Sequence, residues 1–112
     1  MPRSSCGTCV RTCSRADLSL AIASIREPEG LSVIVPGQLA QDLGLPVSFT
    51  AAWITLAMQS DLPAVGLTAT FSKALARAGI GCNVVAGTRH DHVLVPWERA
   101  RRAMEVLART GR

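Results

Sequence analysis

The chain has 112 residues, enough for one domain, and its 48% hydrophobic against 18% charged residues exclude an intrinsically disordered protein. Its formal net charge is +4, but the excess of arginine lies at the two ends, and aromatic residues make up only 4%. The central region is slightly acidic and has no aromatic platform on which bases could stack, so we expect no nucleic-acid partner.

The sequence gives no sign of membrane insertion. No apolar run approaches the roughly 20 residues that span a bilayer. The stretch LSLAIASI follows three arginines, as in a secretory leader, but Asp17 interrupts its start and no small-residue cleavage site follows it. We therefore expect a cytoplasmic protein with no membrane partner.

The first 26 residues are unusual. Cys6, Cys9 and Cys13 form the stretch CGTCVRTC, between arginines and serines. This composition predicts an atypical segment over residues 1–26, disordered or loosely packed, with reduced thiols. The alternative is a zinc or iron–sulfur site, for which Cys82 or His90 would supply the fourth ligand.

Regular elements are predicted from Leu31 onwards. LSVIV (31–35) indicates a strand that stops at Pro36-Gly37. QLAQDLG (38–44) has the spacing of a short helix, with Gly44 at its end. WITLAMQ (53–59) alternates as a strand of a half-covered sheet does, with Trp53 and Thr55 on one face.

The second half continues with a helix from about Val65 to Ala78, which Gly79 terminates. Strands follow over residues 82–86 and 92–96. The last helix, 97–108, carries an apolar stripe of Trp97, Ala100, Met104 and Leu107, with Glu98/Arg102 and Arg101/Glu105 as exposed pairs. The order of elements predicts an α+β sandwich with helices on one face of a largely antiparallel sheet, and the bare face favours oligomerisation.

The histidines of the sequence His90-Asp91-His92 could share one face of a strand and hold two positions on a metal. No third ligand is apparent nearby. We therefore interpret the segment as a hairpin: Asp91 helps to form the turn, and the imidazoles bond to backbone groups or line an adjacent cleft.

Asn83 is a polar residue in an apolar strand, where its amide could bind a ligand or make an edge-strand hydrogen bond. Alternation places Asn83 and Val85 on one face of the strand and Cys82 on the other, with Val84. Cys82 is therefore expected to be a core thiol and not a nucleophile.

The stretch SDLPAVGLTAT (60–70) leads from a strand into a helix. A glycine at the start of a helix lets a ligand approach the backbone, and the free N–H groups of the first turn favour a carboxylate. The alternative is that Ser60 or Asp61 only caps the helix.

The segment from Gly66 to Leu107 resembles an ACT domain, a small-molecule-sensing module with a ferredoxin-like βαββαβ fold. Other stretches resemble a bacterial family of small paired-ACT proteins related to amino-acid sensors of the CASTOR type. They are EPEGLSVIV, AAWITLAMQSDLPAVGLTAT, and CNVVAG with HDHVLVP. The likeness covers residues 27–108 and implies an ACT domain over 53–110. A partial first unit over 27–59 would share its last strand with that domain. The chain departs from this family in two respects. Residues 1–26 lack the helix and strand that usually begin the first unit. Val65-Gly66 stands where the family usually has Pro-Gly, at the start of the first helix of the ACT domain.

The resemblance implies a regulatory module that binds a small ligand, expected to be an amino acid, between ACT-like units. Asp61 would receive the ammonium group, and the amides of Gly66 and Leu67 would take the carboxylate. No catalytic constellation or cofactor motif is present, so we expect a protein that is not an enzyme. The alternative is a structural ACT domain that oligomerises without ligand, and a metal protein is the third hypothesis. The expected ligand-binding residues are Asp61, Gly66, Leu67, Thr68, Asn83, His90 and His92.

Overall fold

A computed structural model describes residues 3–11, 18–56 and 67–110. Short 3₁₀ turns lie at Leu18–Leu20 and Trp97–Arg99. No helix in these described ranges is long and apolar enough to cross a membrane. The strands are β1 (Arg3–Arg11), β2 (Ala23–Glu27), β3 (Gly30–Pro36), β4 (Phe49–Leu56), β5 (Asn83–Ala86) and β6 (Asp91–Pro96), and the helices are α1 (Gly37–Leu43), α2 (Leu67–Arg77) and α3 (Ala100–Arg109).

The chain divides into two compact units. The N-terminal unit is Cys6–Ala51, and the C-terminal unit comprises Met1–Ser5 and Ala52–Arg112. Both contain antiparallel strand pairs and helices, so the predicted α+β class is confirmed.

In the N-terminal unit the strands follow the order β2-β3-β1, with antiparallel pairing on both sides of β3. Val33 and Val35 of β3 are buried against Ala40 of α1. The helix ends at Gly44, whose φ of 63° is left-handed, as the sequence predicts. The sequence indicated no strand before Leu31. The strands β1 and β2 were not predicted, because β1 carries polar, small and cysteine residues and β2 is largely exposed.

The C-terminal unit has the strand order β4-β6-β5 and contains the larger core. Alternate residues of β4 and β6 meet α2 and α3, because successive side chains of a strand point to opposite faces. The helices contribute the apolar face that period-3.6 spacing predicts. The buried residues are Ala52, Ile54, Leu56, Val93 and Val95 from the strands, Phe71 and Leu75 from α2, Ile80 after it, and Ala103 and Leu107 from α3.

The end of α2 is fixed by two features. Gly79 adopts a left-handed φ of 74°, which confirms the predicted stop. The amide of Ile80 then donates to the carbonyl oxygen of Leu75 at 2.9 Å, which turns the chain towards β5 and buries the Ile80 side chain.

The predicted apolar stripe of the last helix is wrong at Trp97. This residue lies in the 3₁₀ turn before α3 and is 49% exposed. A 3₁₀ turn has three residues per turn, so it shifts the phase of the stripe, and Ala103 becomes the fully buried position. The observed ion pair is Arg102–Glu105, three residues apart at 3.3 Å, and not one of the two predicted pairs.

A hairpin followed by a helix occurs in both units with the same local design. β3 and β6 each end in a buried Val-x-Val run, Val33–Val35 and Val93–Val95. A proline follows each run, and the two prolines have nearly identical φ and ψ, −55° and 137° for Pro36, −53° and 137° for Pro96. The two halves therefore contain a structural repeat.

Candidate functional site

The face of the C-terminal sheet away from the helices carries an aromatic cluster. Since Ile54 and Leu56 point to the helices, Trp53 and Thr55 point to the opposite face. His92 joins them from β6. Thr55 Oγ1 lies 3.0 Å from His92 Nδ1, and the rings of Trp53 and His92 stack with centroids 4.7 Å apart at 27°. Trp53 is only 9% exposed, whereas His92 is half-buried.

This environment lowers the pKa of His92 below its ordinary 6.5. Burial is the main cause, because it disfavours the charged imidazolium; the positive form of His90 acts in the same direction, and Asp91 opposes both. His92 is therefore a neutral imidazole near neutral pH, able to accept a hydrogen bond at one nitrogen and donate at the other.

A tight turn holds the two histidines. The amide of Gly87 donates to the carbonyl oxygen of His90 at 2.8 Å, which leaves Thr88 and Arg89 as the tip. A Cβ at Gly87 would lie 3.0 Å from that oxygen and 3.4 Å from His92 Nε2, so any larger residue would crowd the turn and push its neighbours slightly apart. The imidazole centroids of His90 and His92 are 6.4 Å apart.

The predicted place of Asp91 in the turn is wrong. Because the turn already closes between Gly87 and His90, Asp91 begins β6 and pairs with Ala86. It borders a cavity of about 10 Å³ on the helix side, with Leu56 and Phe71. Asp91 and His92 thus point to opposite faces, as alternation predicts.

The expected ligand loop falls only partly within the described residues. Asp61 and Gly66 lie outside them, whereas Leu67 and Thr68 are the first two residues of α2. The connection to α2 leaves β4 at Leu56, next to Thr55, which contacts His92. The structure therefore brings the start of that connection and the histidine hairpin to the same end of β4.

Asn83 does not belong to this group. It is exposed at the beginning of β5 and pairs with Leu94, whereas the hairpin turn follows Ala86 at the other end. Three residues of strand separate these positions by about 10 Å. Sequence reasoning also missed Thr55 and Trp53 as partners of His92. Their shared face was predictable, but the pairing of β4 with β6 was not.

The cysteines fall only partly within the described residues. Cys82 is half-buried and packs against the core, which agrees with the core thiol expected from alternation. Cys6 and Cys9 belong to β1, and Cys13 lies outside the described residues. Among the described residues, no three His, Cys, Asp or Glu side chains are grouped closely enough to hold a metal ion.

The N-terminal unit has an open groove of about 710 Å³ beside α1. Its polar side chains, Gln38, Gln41 and Thr50, are uncharged, and the Gln38 amide donates to Asp42 at 2.9 Å. The groove could accommodate a small neutral group but has no charged anchor for one.

The arrangement of β4, α2, β5, β6 and α3 is that of an ACT domain, a ferredoxin-like α+β fold. The sequence pattern of the ACT domain family matches residues 48–109, more than half of the chain. This chain therefore belongs to the ACT domain family, whose domains are regulatory and often bind small molecules.

Solved structures of other proteins are similar to this chain. One is a Vibrio cholerae protein of unknown function, described as a possible transport protein. It is 40% identical to this chain with a TM-score of 0.83, and the match covers 95% of this chain and 85% of the Vibrio cholerae chain. An Agrobacterium tumefaciens protein is 22% identical with a TM-score of 0.71, covering 93% of this chain and 81% of that one.

The third structure, aspartokinase alpha and beta subunits, is 15% identical with a TM-score of 0.61, covering 95% and 93% of the two chains. The second and third comparisons show a common fold alone. A comparison with curated protein sequences found no match.

Proposed function

We propose that this chain is a non-enzymatic ACT module that binds an amino acid and thereby changes its own association or that of a partner. The observation that carries the proposal is the shared end of β4, where the connection to α2 leaves Leu56 and Thr55 bonds to His92 at 3.0 Å. A strand-to-helix connection next to polar imidazole side chains suits a zwitterionic ligand.

In this proposal the connection supplies the charged contacts. Asp61 receives the ammonium group, and the amides of Gly66, Leu67 and Thr68 take the carboxylate at the start of α2. His90 and His92 border the ligand from the hairpin. Asn83, at the far end of β5, lies apart from this group and takes no part in the proposed site.

We further propose a paired-ACT arrangement of the kind found in CASTOR-type sensors. The repeat of hairpin, Val-x-Val-Pro and helix supports it, because each unit then contributes an equivalent element. The N-terminal repeat would be the partial first unit over residues 27–59.

The test is thermal unfolding of the protein with each of the twenty amino acids. A ligand at roughly a hundredfold its dissociation constant stabilises the fold by about 2.7 kcal/mol, a shift of several degrees for a domain of this size. We expect one chemically related group of amino acids to give this shift. If no amino acid moves the transition, the proposed ligand class is wrong.

A variant pair locates the site. Asp61→Ala with Gly66→Val should abolish the shift. The matched control is Asp42→Ala with Gly81→Val, because Asp42 is exposed on α1 and a Cβ at Gly81 meets nothing within 4 Å. Tight binding by the first variant would place the ligand elsewhere.

A second candidate function is assembly without a ligand. Large apolar side chains of the N-terminal unit are exposed, including Ile25 at 55%, Leu43 at 52% and Phe49 at 45%. Exposed apolar side chains that form one patch favour association with another surface. Sedimentation of ligand-free protein as a stable oligomer, together with no response to amino acids, would support this function.

A further inference from the structure

The two helices of the C-terminal unit present a strongly basic surface. Its acidic residues are Glu98 and Glu105 alone among the described residues of α2, the 3₁₀ turn and α3. We call this surface the basic helical layer. All of its basic side chains are exposed: Lys73 and Arg77 on α2, Arg99 in the 3₁₀ turn, and Arg101, Arg102 and Arg109 on α3.

Helix geometry places these side chains on one surface. Lys73 and Arg77 are four residues apart and lie one turn above each other on the exposed face of α2. On α3 the buried residues are Ala103 and Leu107, so Arg101 and its neighbours point away from the core. The two helices pack together, so their exposed faces adjoin.

The C-terminal end of α2 and the start of α3 are in direct contact. The guanidinium group of Arg99 donates to the carbonyl oxygen of Ala78 at 3.0 Å. Arg77 precedes that carbonyl, and Arg102 follows Arg99 by about one turn. Basic residues therefore lie on both sides of this contact, at the end of α2 and at the start of α3.

Little of this charge is neutralised within the chain. In the part of the chain that the structure describes, Arg102–Glu105 is the one ion pair, with side chains about half exposed. The other basic groups repel one another through solvent, and an approaching negative surface would relieve that repulsion.

We propose that the basic helical layer is a docking surface for an acidic surface of another protein. Charge complementarity identifies the occupant, and Trp97 supplies an apolar anchor. Its indole is 49% exposed at the start of the same layer, and exposed tryptophan beside arginine is characteristic of protein interfaces. The proposal does not depend on the amino-acid site, which lies at the opposite end of the sheet from this anchor.

Two features favour a protein over a nucleic acid. Glu98 would repel phosphates but can pair with a lysine or arginine of a protein partner. Trp97 is the single aromatic residue exposed on the layer within the described residues, and strand binding uses several stacking side chains.

The experiment measures binding of the full chain to a fluorescein-labelled helical peptide with glutamates on one face and leucines beside them, by fluorescence anisotropy. Arg77→Glu with Arg101→Glu reverses the layer. Arg26→Glu with Arg89→Glu is the control, because both arginines are exposed outside the layer and the net charge of the two variants is the same. Circular dichroism checks that both double variants fold. If the variant with Arg77→Glu and Arg101→Glu does not fold, the variant with Arg77→Gln and Arg101→Gln is used in its place.

We expect the layer variant to bind the peptide at least about tenfold more weakly than wild type, and the control to bind nearly as well as wild type. Trp97→Ala should also weaken binding. Equal losses in both double variants would mean that net charge alone acts, and would overturn the proposal. Tighter binding of a DNA duplex or of phosphatidylglycerol vesicles than of the peptide, lost in the same variant, would also overturn it.

Discussion

The guanidinium group of Arg99 closes the end of helix α2, 21 residues earlier in the chain, by donating to the carbonyl oxygen of Ala78 at 3.0 Å. The last carbonyl groups of a helix have no partner within it and carry its partial negative charge. An arginine from the next helical element satisfies one of them here, and this bond ties α2 to the start of α3.

We expect Arg99→Ala to lower the free energy of unfolding by about 1 kcal/mol, because one charge-assisted hydrogen bond at an exposed site is lost. Arg101→Ala is the control, since the structure gives Arg101 no such contact. Urea unfolding followed by circular dichroism measures both variants. Equal stability of the two would show that the Ala78 bond contributes nothing.

Gly79→Ala should destabilise the protein by about 1 kcal/mol. Gly79 has a φ of 74°, which a side chain disfavours, while a Cβ there would have no closer neighbour than the Arg99 guanidinium at 4.0 Å. The cost is therefore one of backbone conformation and not of space. Gly81→Ala, where nothing lies within 4 Å, should change stability by less than about 0.5 kcal/mol in the same unfolding assay.

Leu75→Ala should cost about 2–5 kcal/mol, because this side chain is completely buried between α2, α3 and the sheet and its removal leaves a cavity. The control, Leu43→Ala, removes the same atoms from a position that is 52% exposed and should cost less than about 1 kcal/mol. Similar losses in both variants would contradict the assignment of the core.

The environment of His92 predicts a pH dependence of stability. Its folded pKa is below 6.5, so the unfolded chain binds more protons at acidic pH. The contribution of this group is therefore present above about pH 6.5 and is lost as the pH falls through the folded pKa. Thermal unfolding at a series of pH values should show this loss, and His92→Gln should make the profile flatter between pH 5 and about 7.

Thr55→Val tests the hydrogen bond of the same histidine. Valine preserves the shape of threonine but removes the oxygen that lies 3.0 Å from His92 Nδ1. We expect a loss of about 1 kcal/mol and a changed imidazole resonance for His92 in NMR spectra. A Thr88→Val variant, at the tip of the turn, should leave that resonance unchanged. If it moved the resonance equally, the assigned bond would not be the cause.

Local patterns in the sequence predicted those elements that local forces determine. The apolar runs ending at Pro36 and Pro96 are strands, and the glycines at 44 and 79 end helices with left-handed φ. Each of these features depends on a few adjacent residues, so the pattern is visible without knowledge of the fold.

The aromatic cluster could not be predicted from patterns of neighbouring residues. Thr55 and His92 are 37 positions apart, and their contact exists only because β4 and β6 are neighbours in the sheet. The error at Trp97 has another origin: a single 3₁₀ turn displaced it from the apolar stripe of α3. The position of Asp91 depended on where the hairpin closed, which is marked by the hydrogen bond from the Gly87 amide to the His90 carbonyl oxygen.

The repeat of hairpin and helix has a consequence for how the molecule folds. β2 and β3 are separated by two residues, and β5 and β6 by four, so both hairpins close short loops at small entropic cost. Contacts of this kind form rapidly, within microseconds for isolated hairpins. β4, in contrast, joins β6 only after a long loop is closed, and such non-local pairing limits the folding rate. We therefore expect each hairpin to form early in folding and the pairing of β4 with β6 to complete the C-terminal core.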